Sequence, residues 1–84
     1  MEDNNYKTTD MALAAYLMLK SFILEDAVDE DGSGKKVFVF SRKRGQRIED
    51  EVDVFFRDKA MVNPRRYWDE VRSIKNRIHA PRRQ

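Results

Sequence analysis

The chain has 84 residues, 38% of them charged and 40% hydrophobic, with no cysteine and a formal net charge of +2. That length suits one domain on one small core, and the lack of cysteine excludes a disulfide framework and a thiolate metal site. The longest apolar run, Met11 to Leu19, is too short for the ~20 residues of a transmembrane helix, and the acidic start MEDNNYK does not fit a secretory signal; a cytoplasmic protein with no membrane partner is expected.

In chain order, a short segment around Tyr6 can form an edge strand. Thr8, Thr9 and Asp10 then favour a helix N-cap, and the residues that follow predict a helix from about Asp10 to Lys20. Leu13, Ala14, Tyr16, Leu17, Met18 and Leu19 occupy nearly every side of it, the mark of a helix covered on more than one face. Phe22, Leu24 and Ala27 or Val28 read as a strand, residues 29–35 as a turn, and KKVFVF as the returning strand. Ile48, Val52, Phe55 and Phe56 have helical spacing with Glu49, Asp50, Asp53 and Arg57 outside. Asn63 as N-cap, Pro64 in the first turn and Pro81 as a stop frame a last helix, whose stripe is Tyr67, Val71, Ile74 and Ile78, with Trp68 at its boundary. The expected fold is α+β: a helix, a β-hairpin and two helices packed on a small antiparallel sheet. Residues 1–7 form an N-terminal segment, 8–79 the domain and 80–84 a basic tail. The edge of so small a sheet would invite homodimer pairing.

The turn DEDGSGKKVFVF imitates a calcium loop. Asp29, Asp31 and Ser33 fall on ligand positions with Gly34 at the bend, but Lys36 and Phe40 stand where an apolar residue and the closing Glu belong. A polar hairpin turn is the better reading, and no metal and no cofactor are expected. Catalysis has as little support. The single histidine, His79, sits near a helix C-terminus where the dipole favours a cation, and Gly32, Gly34 and Gly45 fit no nucleotide-binding fingerprint, so the chain is read as a non-enzyme.

Charge is divided along the chain. Residues 1–34 carry eight acids against Lys7 and Lys20, whereas residues 35–84 carry fifteen cations against seven acids. The split points to an anionic partner for the second half, or to an internal match between the halves. Arg42, Lys43, Arg44 and Arg47 lie just before the second helix, where cations oppose the helix dipole; folding then has no need of them, and they could hold phosphates. Arg72, Arg77, Arg82 and Arg83 extend the patch, whereas Arg65 and Arg66 have Asp69 and Glu70 four residues on as helix partners. These eight cations are the candidate nucleic-acid-binding residues, for DNA or RNA. The alternative is a protein–protein regulator or inhibitor that docks through the acidic hairpin, Glu25, Asp26, Asp29, Glu30 and Asp31.

The helix TDMALAAYLMLKSF, the strand VFVF and the segment AMVNPRRYWDEVRSIKNRI together resemble a family of short uncharacterised domains from phages, plasmids and prokaryotic genomes. The likeness spans about residues 8 to 78, and that family often has Gly where this chain has Ser21. The resemblance implies one compact α+β domain in a mobile-element setting, and it assigns no site residues.

Overall fold

In the computed structural model, residues 5–29, 35–42 and 47–79 are described. The elements are β1 (Tyr6–Thr8), α1 (Met11–Leu19), β2 (Leu24–Asp29), β3 (Lys36–Phe40), α2 (Ile48–Phe56) and α3 (Pro64–His79). The three strands form one antiparallel sheet in the order β1-β3-β2, so the segment at Tyr6 does add an edge strand, and the α+β class holds.

Helix α1 is the centre of the molecule. Asp10 caps it, its carboxylate accepting from the Leu13 N–H at 3.2 Å, and Leu13 to Leu17 are all buried. Five consecutive buried residues cover every side of a helix with 3.6 residues per turn, which is why its apolar residues show no amphipathic period. The helix packs against α3, α2 and β1. Phe38, Phe40 and Leu24 from the sheet, Ile48 from α2 and Ile74 from α3 complete the core around it.

Alternation along the strands gives the sheet two faces. Tyr6, Phe40 and Leu24 share one row and Thr8, Phe38 and Ala27 the next, on the core side. Lys7, Val39 and Asp26 line up on the other side. A register shift between Leu24 and Asp26 bulges β2, and the carbonyls of Leu24 and Glu25 accept from the Arg77 guanidinium at 3.3 and 3.4 Å. Both sheet edges are thus poor templates for strand addition: β1 is three residues long, and β2 is bulged and carries exposed Glu25, Asp26 and Asp29.

The end of α1 carries backbone strain. Ser21 sits at φ 76°, its N–H donating to the Met18 carbonyl and that of Phe22 to the Leu17 carbonyl, both at 3.0 Å. This is a Schellman cap, whose left-handed residue is usually glycine. Relief of about 1–2 kcal/mol of left-handed strain, less the ~0.4–1 kcal/mol that glycine's freedom adds to the unfolded chain, leaves a net gain. Ser21→Gly should stabilise the fold by roughly 0.5–1 kcal/mol and raise Tm by a few degrees, as read by thermal denaturation; a lower Tm would contradict the cap.

Candidate nucleic-acid interface

The two described cations that flank the loop before α2 are engaged differently from the expectation. Arg42 follows β3, forms an ion pair with Glu49 in the first turn of α2, and lies 6.0 Å from the Tyr6 ring centroid. Arg47, at the N-cap position with no side-chain cap bond, has its Nε 3.5 Å from Asp50. The reading that cations here merely oppose the dipole and are idle for folding is corrected. The first turn already carries Glu49, Asp50 and Glu51, which suit the dipole, and Arg42 and Arg47 serve as their counter-ions. Glu49 is held below the usual carboxylate range by its own backbone N–H and then by the Arg42 guanidinium. Lys43 and Arg44 lie outside the described residues.

Helix α3 also redistributes its partners. Arg72, read as unpaired, binds Asp69 at 3.0 Å; Arg77, also read as unpaired, is fixed to two carbonyls of β2. The expected Arg65–Asp69 and Arg66–Glu70 pairs do not form, and neither Arg65 nor Arg66 has an ion pair among the described residues. Arg82 and Arg83 lie outside the described residues.

What the helix presents outward is a second stripe. Tyr67, Val71, Ile74 and Ile78 face the core as expected, with the Tyr67 hydroxyl donating to the Ala12 carbonyl at 2.8 Å. Trp68, one residue and ~100° around the helix from Tyr67, is 55% exposed. Arg65, Arg72 and Lys75 stand at i−3, i+4 and i+7 from it and are all exposed. Lys75 Nζ lies 5.8 Å from the indole centroid, and a shallow recess beside the ring is lined by Pro64, Arg65, Trp68 and Arg72. The spacing 65, 68, 72, 75 was the available sequence signal for this face; the stronger apolar stripe beside it obscured it.

The described cations before α2 and on α3 fall into two groups, all of them exposed. Of the candidates, Arg42 and Arg77 are tied to groups the fold uses and Arg47 lies beside Asp50. Arg65, Arg66, Arg72 and Lys75 are exposed, and the single ion pair among them is a surface pair of the kind worth about 0–1 kcal/mol, which a phosphate can replace.

An apolar groove of about 450 Å³ runs between α1, α2 and the start of α3, lined by Tyr16, Phe55, Phe56, Asp58, Ala60, Val62 and Tyr67. The Tyr16 hydroxyl donates to Glu51 at 2.8 Å. Burial, and then that bond to a carboxylate, push its pKa up to about 12. Since the folded state keeps this proton to higher pH than the unfolded chain, stability is full below the ordinary value near 10 and falls between about pH 10 and 12. Tyr16→Phe should remove about one proton from the slope of stability against pH in that window, measured by urea denaturation at stepped pH; an unchanged slope would refute the assignment.

The acidic hairpin is only partly described. Glu25 and Asp26 are exposed on β2, Asp29 binds Lys36 at 2.7 Å, and Glu30 to Gly34 lie outside the described residues. Among the described residues, no group of three or more His, Cys, Asp or Glu side chains is placed to hold a metal ion, and no helix is long and apolar enough to cross a membrane. Residues 3–80 match the model of a family described as a domain of unknown function, DUF5659. No curated protein and no solved structure matches the chain.

Proposed function

We propose that this chain, which belongs to the DUF5659 family, is a small nucleic-acid-binding protein of a phage or mobile element, without catalytic activity, that holds phosphates on the outward face of α3. The observation that carries this reading is the exposed stripe of Arg65, Arg72 and Lys75 around Trp68. Over its length α3 has five Lys and Arg residues against two carboxylates, of which Arg77 is used by the fold. Lys43 and Arg44 in the loop, and Arg82 and Arg83 in the tail, extend the positive charge along the sequence. Binding of this kind releases counter-ions and so weakens steeply with salt. A salt titration against labelled single- and double-stranded DNA and RNA tests it: absence of affinity at low salt, or affinity indifferent to salt, excludes it.

A second reading, a protein regulator docking through the acidic hairpin, is favoured by the exposure of Glu25 and Asp26 on an edge strand. Loss of partner capture on reversing Asp29, Glu30 and Asp31, in a chain that binds no nucleic acid, would select it.

A further inference from the structure

We infer that the ligand is single-stranded, with an unpaired base stacked on Trp68 and the flanking phosphates held by Arg65 and Arg72; this rests on the nucleic-acid reading above. An indole left 55% exposed in a small domain costs apolar burial the core could have used, and here Arg65, Arg72 and Lys75 flank it, with Pro64 lining the recess beside it. A purely apolar protein surface placed on it would have to bury Arg65 and Lys75 without counter-charge and the Arg72–Asp69 pair away from water, which is expensive. An anion with a flat π-face satisfies both features.

Duplex and single strand differ in what they offer such a surface. In a duplex the π-faces are stacked on one another and only base edges and phosphates are presented. Reading edges takes a helix lined with side chains such as Asn, Gln and Arg around a small contact point. On this face of α3 the centre is a bulky indole, with Asp69, a carboxylate that repels phosphate, one residue away. An unpaired base can lie on the ring, and base–aromatic stacking tolerates any sequence. Arg65 and Arg72 are seven residues apart, about 10 Å along the helix axis, one on each side of the indole. Both line the recess against it, placed to meet the backbone before and after a stacked nucleotide. The partners these cations now have are weak: Asp69 for Arg72 on the surface, and the indole itself for Lys75.

Trp68 is the sole tryptophan, so intrinsic fluorescence reports directly on the proposed contact. The full chain is titrated at about 50 mM salt with unlabelled oligo(dT), oligo(U) and a mixed-sequence duplex of about 12 nucleotides per strand, and binding is measured independently by anisotropy of labelled copies. Single strands should bind at least about tenfold tighter than the duplex and quench Trp68, and Trp68→Ala should weaken them roughly 5- to 150-fold, with Trp68→Phe restoring most of the affinity. Thermal melts of both variants should match the parent chain, because the side chain is exposed. Anisotropy that reports binding without quenching, or a duplex bound as tightly as the single strands, overturns the stacking and leaves the nucleic-acid reading standing. Displacement of the strands by poly-glutamate at equal charge concentration overturns it in favour of an acidic peptide. No binding of any oligomer by either readout removes the nucleic-acid reading and this inference with it.

Discussion

Phe40→Ala should remove a large share of the fold's stability, about 3–5 kcal/mol. Phe40 is completely buried on the central strand, with Tyr6 on one side and Leu24 on the other, and it belongs to the cluster formed with Leu13, Leu17 and Ile74. Truncating a buried phenylalanine costs about 3–5 kcal/mol, because lost transfer energy and the residual cavity add. At roughly 0.05–0.15 kcal/mol per residue, a domain of this length has only about 4–13 kcal/mol in all. The chain has no cysteine for a disulfide, and among the described residues no metal ligand set is available to limit the loss. Circular dichroism against urea checks the expectation, with Phe56→Ala as the control: that ring is 60% exposed and its truncation should cost less than about 1 kcal/mol. A small loss for Phe40 with a large one for Phe56 would reverse the core assignment.

The core was legible in the sequence because it rests on local periodicity. Asp10 as cap, an all-round apolar helix and the Phe-x-Phe alternation each follow from neighbours within a turn or a strand, and each is where the sequence implied. Strand order was not legible in the same way. That β3 rather than β2 stands in the middle depends on pairing Tyr6 with Phe40 across 34 positions, and no local pattern encodes which of two strands a three-residue edge will choose.

The candidate interface was harder still, since long charged side chains choose partners by rotamer and tertiary reach. Asp69 lies within helical reach of both Arg65 and Arg72, and the structure gives it to Arg72. Arg77 looked unpaired because its partners are backbone carbonyls of a bulge 52 and 53 residues away, groups that carry no signature in a charge pattern. Arg42 looked idle because Glu49 was read only as an outward position of the second helix. The division of charge along the chain survives these corrections, but among the described residues the larger accessible basic surface is the outward face of α3, with Arg47 exposed at the end of the loop.

That shift sets up the second large effect. Replacing Arg65, Arg72 and Lys75 together with Gln should lower affinity for a single-stranded oligonucleotide about 100-fold at 0.1 M salt, and should flatten the salt dependence by about two units. Each phosphate contact to a single strand contributes a slope of about 0.7, so from 1 M to 0.1 M salt it is worth about 0.7 of a decade, and three contacts about two decades. The fold should tolerate the change. All three side chains are exposed, glutamine is a good helix former, and the lost Arg72–Asp69 pair is a surface one. Arg42→Ala is the informative comparison, because that guanidinium is engaged with Glu49 and Tyr6. It should cost a little stability, of order 0.5 kcal/mol for a partly exposed pair, and should change affinity and slope by less than one contact's worth. If Arg42→Ala instead reproduces the binding loss while the triple Gln variant binds as the parent does, phosphate is held at the start of α2, with Glu49 giving up its counter-ion to the ligand, and the face of α3 has another use.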